Sequence, residues 1–303
     1  MRSVHSQPWF RALYLFAILG TIGYTVPGPL AWAAGNYVGC GGETVAVQNA
    51  DFEAAVVELV NQRRAEANLP PLKWVTEASS AARYHAADMA EDDYFDHNSY
   101  DRNNDQVVQV CGWADRIRGY YTGASALGEN IAAGYRTPAS VMEGWMNSPG
   151  HRGNILGNYA EIGVGFYNYR WVQDFGTRNS VAAMILNREA RETDSPEVSI
   201  YLHGTGSQLR LRNDDEQWSE WQPFQNEFTW TVPHVAGEHR VDIEVQRGQS
   251  VVTGSDTIVV SSSAAATPTP TIVPTATPLP TPTLTPGSPQ GFSYHTYLPL
   301  VSR

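Results

Sequence analysis

Residues 128–166 constrain this chain more than any other stretch. They run Gly128-Glu129-Asn130-Ile131-Ala132-Ala133-Gly134, then Thr137 to Leu156, then Tyr159 to Phe166. Thr137 before Pro138 predicts an N-cap followed by proline at the first helical position. Ser148-Pro149 repeats the device and opens a second, shorter helix that carries His151 in its first turn. Ile162, Val164 and Phe166 alternate with Glu161, Gly163 and Gly165, the period of a strand. A carboxylate (Glu129) and an imidazole (His151) thus stand at breaks between elements, where binding and catalytic groups concentrate.

The residues before this stretch are helical. Asp51 is expected to cap a helix to about Ala67, with Val56, Val57, Leu59 and Val60 inward and Arg63, Arg64 and Glu66 in solvent. Thr76 is expected to cap a second helix to about Tyr94; Ala78, Ala81, Ala82, Ala86 and Ala90 permit close packing along it. His85 shares a side with Ala78, Ala81 and Met89 and reads as a core histidine with a hydrogen-bond partner, not a ligand. Residues 101–106 read as a polar loop, Asp115–Tyr120 as a short helix and Ser180–Leu186 as a further buried strand of the same domain. Helices before and between late antiparallel strands give an α+β class, an α-β-α sandwich over residues 51–190.

The remainder changes character. Short alternating strands between Val198 and Val260 predict a small all-β sandwich over 191–262. Trp218-Ser219-Glu220-Trp221, followed by Trp230, resembles immunoglobulin-like or fibronectin III modules. Trp221 and Trp230 are expected in its core, the alternative being a face for stacking on sugars. Residues 263–290 are almost all Thr, Pro and small residues, which bury no core and form a disordered Thr/Pro-rich linker or stalk. The apolar tail 291–303 is too short to span a bilayer and reads as a sorting or docking signal. At the other end, the apolar run Ala12–Val26 and the small-x-small Ala31-Trp32-Ala33 mark 1–34 as a signal peptide, followed by an N-terminal extension, 35–50. No transmembrane helix is expected after its removal. In an exported chain the two cysteines, Cys40 and Cys111, are candidates for a disulfide, the alternative being two free thiols. A formal net charge of −11 with no basic run argues against nucleic-acid binding, which depends on Lys and Arg.

Gly128-Glu129-Asn130, then Trp145-Met146-Asn147-Ser148-Pro149-Gly150-His151-Arg152 and Asn154-Ile155-Leu156, resemble the CAP superfamily in its bacterial SCP-like extracellular branch. That superfamily groups cysteine-rich secretory proteins, antigen 5 and pathogenesis-related 1 proteins, and the resemblance spans about 51–187. It implies the α-β-α sandwich and a central cleft that gathers two histidines and two glutamates. Carried over by position, these are His97, Glu129 and His151. The place of the second glutamate is taken by Ser148. Glu143 lies about 140° around a helix from Ser148, on another face, so it is a weak substitute and is expected to be partly solvated. Ser148 reads as an N-cap, without an activating base for nucleophilic chemistry. Two imidazoles and one carboxylate are a plausible zinc set, or a polar network that fixes loops. The resemblance further implies a secreted or surface-held protein that binds an extracellular ligand, such as a lipid or sterol, a cell-wall glycan or a protein. Two alternatives stand beside this: a zinc-assisted, peptidase-like hydrolase using His97, Glu129 and His151, and an adhesive wall protein acting through the β-sandwich.

Overall fold

Asn49, not Asp51, starts the first helix. Its side-chain oxygen accepts from the Phe52 N–H at 3.0 Å, so α1 (Ala50–Glu66) begins ahead of the expected cap. Asn68 stops it in the left-handed region, at φ 57°. Arg64, expected in solvent, is buried: its guanidinium donates to the carbonyls of Pro70, Ile155 and Gly157 at 2.7–2.9 Å, and burial lowers its pKa to about 10. Strand β1 (Lys73–Trp74) follows, then α2 (Thr76–Glu91), with Val75 at the N-cap and Thr76 already inside the helix. The computed structural model describes residues 37–104 and 106–261, and the backbone of 295–296 and 300–302. The expected signal peptide and the Thr/Pro linker lie outside the described residues.

Where a loop was expected after α2, β2 (Ser99–Asn103) and β3 (Gln106–Cys111) form an antiparallel hairpin. Cys111 at its end is joined by a disulfide to Cys40, their Cα atoms 5.0 Å apart. This ties the N-terminal extension to the hairpin. α3 (Trp113–Tyr120) leads into β4 (Ala124–Ala133). Thr137 caps α4 (Pro138–Asn147) reciprocally with Ser140, as the Thr-Pro pair predicts. α5 (Pro149–Ile155) follows Ser148, whose side chain makes no cap hydrogen bond.

β5 (Glu161–Tyr167) and β6 (Arg170–Arg178) complete the centre of a sheet ordered β1-β5-β6-β4, parallel only between β1 and β5. α2 lies directly on β5. A Cβ on Gly163 would collide with the backbone of Ala78 and Ser79, and one on Gly165 with that of Ala82 and Arg83. The alanine face of α2 and these two glycines therefore specify one another, helix backbone against strand backbone. The other face carries α1, α4 and α5 over a core of Val56, Val57, Val60, Val141, Trp145, Ile155, Trp171 and Phe175.

The expected last strand of this domain belongs elsewhere. β7 (Met184–Leu186) pairs with β9 (Glu197–Leu202), which pairs with β12 (Glu227–Thr231). Facing this sheet is a second, ordered β11-β10-β13-β14-β8. It comprises β8 (Glu192–Thr193), β10 (Gln208–Asn213), β11 (Gln222–Pro223), β13 (Gly237–Arg247) and β14 (Ser250–Val260). Between the sheets lie Ala182, Met184, Val198, Ile200, Leu209, Leu211, Val241, Ile243 and Ile258, so the second core starts ahead of the expected boundary at 190. Trp230 packs against this core; Trp221, expected there too, does not. It lies instead under the Arg210 guanidinium, 4.7 Å from the ring centre, in a ladder that continues through Trp218 to Arg212. Finally β15 (His295–Thr296) and β16 (Leu300–Ser302) pair antiparallel with β4, adding part of the expected tail to the first sheet.

Candidate functional site

The register of the central sheet decides which groups can meet. Glu129 on β4 stands opposite Asp174 on β6, and Asp174 opposite Gly163 on β5. Gly163 faces α2, so Glu129 and Asp174 face α2 as well. The next row, Asn130, Gln173 and Val164, faces the other way, since successive residues of a strand alternate.

On the α2 face the charges are closed in. His97 Nδ1 lies 2.7 Å from Glu129 Oε1, and the Arg116 guanidinium pairs with Glu129 Oε2. Arg116 also donates to the His97 carbonyl at 2.8 Å and to Ser99 Oγ at 3.1 Å. Exposure is 5% at His97 and 0% at Glu129 and Arg116. Burial raises the Glu129 pKa, but the Arg116 charge and the hydrogen bond from His97 outweigh it and hold the carboxylate at about 2. Asp174 goes the other way. Burial and the Glu129 charge push its carboxyl well above the ordinary range, and as an acid it can donate to Glu129. That proton matters, because two ionised carboxylates are both acceptors and neither Asp174 oxygen has another hydrogen-bond partner among the described residues. His85 borders the same cluster. It is fully buried, with Nε2 2.9 Å from the Asp96 carbonyl, and burial together with Arg116 keeps it neutral. It is a core histidine, as its place among the alanines predicts.

His151 arrives by another route. Its helix, α5, packs on the far face, where Asn154 Nδ2 donates to the Glu129 carbonyl (3.1 Å) and to Asn130 Oδ1 (3.0 Å). Asn130 Nδ2 in turn donates to the His151 carbonyl (3.1 Å) and to Gln173 Oε1 (3.0 Å). The Gly-Glu-Asn segment thus sends Glu129 to one side of the sheet and Asn130 to the other. Each locks a different connection: the loop after α2 on one face, the start of α5 on the opposite one.

The expected zinc set was His97, Glu129 and His151. Among the described residues no three His, Cys, Asp or Glu side chains are grouped to hold a metal ion. Both oxygens of Glu129 are engaged, one by a guanidinium whose positive charge opposes a second cation at the same place. Glu143 is exposed on the rim of a groove of about 480 Å³ with Tyr135, Arg136 and Asn147. Ser148 is half-buried and takes no part in the cluster.

Arg116 and Asp174 escaped the sequence reading, although each left a trace. Arg116 recurs with Trp113, Ile117 and Tyr120 on the inward period of α3, a charge placed where an apolar residue would serve packing. Gln173 and Asp174 interrupt the apolar run from Trp171 to Phe175 in a strand covered on both faces. Polar residues in such a strand need partners.

Comparison with known proteins agrees with the motif. The model of the cysteine-rich secretory protein family (CAP) matches residues 57–175. YkwD of Bacillus subtilis is 38% identical over 127 residues, 41% of this chain and 46% of its own length. The membrane protein YlbC of the same organism is 32% identical over 124 residues, 41% of this chain and 34% of its own. The chain therefore spans less than half the length of either relative. Among solved structures, an extracellular protein of Bacillus anthracis containing an SCP domain is 31% identical, with a TM-score of 0.38, covering 42% of this chain and 40% of that one. An outer surface protein of Borrelia burgdorferi is 20% identical, with a TM-score of 0.36, covering 41% and 90%. Residues 57–175 are thus a CAP domain, matched by the model of the cysteine-rich secretory protein family.

Proposed function

We propose that this is an exported CAP-domain protein that binds an extracellular lipid, glycan or protein and does not hydrolyse it. One observation carries the reading. Glu129, the carboxylate that a peptidase-like mechanism would need as a base or metal ligand, is fully buried and held between His97 and Arg116 at a pKa of about 2. A general base works best with a pKa near the operating pH and within reach of a substrate proton. Glu129 meets neither condition, and its network fixes loops around the sheet instead. Export is supported by the Cys40–Cys111 disulfide, which persists in oxidising compartments, and by the apolar run within the expected signal peptide, 1–34. The two facing sheets act as an immunoglobulin- or fibronectin III-like spacer, and the Thr/Pro-rich residues 263–290 as a stalk.

The test is to incubate the full-length protein with peptide, ester and glycan libraries, with and without added zinc, beside equilibrium binding to lipids and wall glycans. Saturable binding with no turnover under either condition is expected. Zinc-dependent turnover that disappears in His97→Ala would overturn the reading and restore the hydrolase.

A further inference from the structure

The edge of β4 is unusual for a strand at the border of a sheet. It runs through ten residues, Ala124–Ala133, in the order Ala-Ser-Ala-Leu-Gly-Glu-Asn-Ile-Ala-Ala. An open edge presents a row of unpaired N–H and C=O groups, and proteins blunt such edges with lysine, proline, brevity or bulges. β4 has no lysine and no proline, and its one register irregularity lies at its start, between Ala124 and Ala126. Its single charge, Glu129, points into the α2 face and is neutralised there by Arg116. Everything about this edge calls for a covering strand.

The chain supplies one from far away. His295 and Thr296 pair with Ala133 and Ala132, and Leu300, Val301 and Ser302 with Glu129, Gly128 and Leu127. The register of the second ladder differs by one residue from that of the first. The cover is thus two short ladders, arriving at the end of the long Thr/Pro-rich tract that follows β14. A strand held by so few pairs is open to competition from a segment that can pair along the whole edge.

We propose that the outer edge of β4 is a peptide-acceptor edge, occupied in the isolated protein by the chain's own β15 and β16. An incoming ligand is an extended peptide that displaces this segment and adds to the sheet antiparallel to β4, alongside Glu129. No bond is made or broken. The proposal deepens the binding reading above by naming a ligand class and a place for it. The two fail separately, since the absence of peptide binding says nothing about turnover.

The experiment uses full-length protein, wild type and the double variant Leu300→Pro/Val301→Pro, which cannot complete the longer ladder. The probe is a fluorescent synthetic peptide of residues 292–303, followed by anisotropy. Hydrogen exchange of the β4 amides is measured in parallel. We expect the probe to bind the variant at least tenfold more tightly than the wild type, a control peptide with both prolines not to bind, and the β4 amides to exchange at least tenfold faster in the variant. Equal, negligible binding to both proteins with unchanged β4 exchange would overturn the proposal. A wild-type dimer that the proline variant abolishes would overturn it too, because the occupant would then come from a second copy. If the variant does not fold, the wild type alone decides: excess unlabelled peptide must alter exchange on β4, and no alteration rejects the idea.

Discussion

Among single residues, Arg116 is the one whose loss the structure makes most costly. Removing one partner of a buried ion pair leaves the other charged and uncompensated, at about 3–5 kcal/mol. Arg116→Met is therefore expected to lower unfolding stability by about that amount in urea titrations, and adding Glu129→Gln to recover part of it. A loss below about 1 kcal/mol would mean that the pair is not formed. A second residue controls pH response. Lys73 bridges Glu189, at 3.1 Å, and Asp256 in a buried trio. Burial and the neighbouring Asp256 raise the Glu189 pKa from 4.5 to about 8 despite Lys73. The folded protein thus keeps a proton that the unfolded chain releases first, so this group makes stability fall as pH rises from about 4.5 to about 8. Asp174 is raised too and acts in the same direction above the ordinary aspartate range. Glu129, lowered to about 2, acts oppositely: its contribution is complete above about pH 4.5 and is lost as pH falls toward 2. Glu189→Gln is expected to flatten the decline between pH 5 and 8 in thermal melts taken across that range. An unchanged slope would assign the decline to other groups.

At the scale of elements, the packing of α2 on β5 is the most demanding contact in the CAP domain. Neither Gly163 nor Gly165 has room for a methyl group, because what stands in the way is helix backbone and not a movable side chain. Gly163→Ala is expected to cost at least about 1–3 kcal/mol, the range for overpacking a filled core. Chemical denaturation would show it as a lower midpoint at unchanged slope. A neutral Gly163→Ala would mean that α2 can lift from the sheet. The same contact explains why β5 reads as alternating in sequence yet is buried along both faces: its glycines are covered by a helix and its Ile and Val by the opposite core.

At the scale of the molecule, the two modules are joined by more than a linker. Asp256 on β14 accepts from the Leu186 N–H at 2.7 Å and pairs with Lys73 on β1, while Glu189 accepts from the Trp74 N–H at 3.1 Å. The turn between them holds three successive non-glycine residues, Asn187, Arg188 and Glu189, at φ 42°, 60° and 66°. Such conformations persist only where the surroundings over-determine them. Here Asn61 Nδ2 donates to the Arg188 carbonyl, and Asn187 Oδ1 accepts from the Ser199 N–H. The modules are expected to unfold in one calorimetric transition in the wild type. Asp256→Ala leaves Lys73 with Glu189 alone and orphans the Leu186 amide, and is expected to split that transition in two. A wild-type scan that already shows two transitions would refute the coupling.

Residues near in sequence were enough for much of this protein. Thr137-Pro138 fixes the start of α4, and the Gly-Glu-Asn and Pro-Gly-His-Arg segments identify the CAP domain, because capping and backbone restriction act within a few residues. The strand alternation from Ile162 to Phe166 and the β character after Val198 are local for the same reason. The tertiary structure alone decided the partners. Which face of β4 Glu129 occupies depends on register across three strands. That Arg116 pairs with it depends on where α3 lands, and that β7 serves the second core depends on its pairing with β9. Charges and strand edges are satisfied by groups far apart in the chain, and no local pattern records which distant group will arrive.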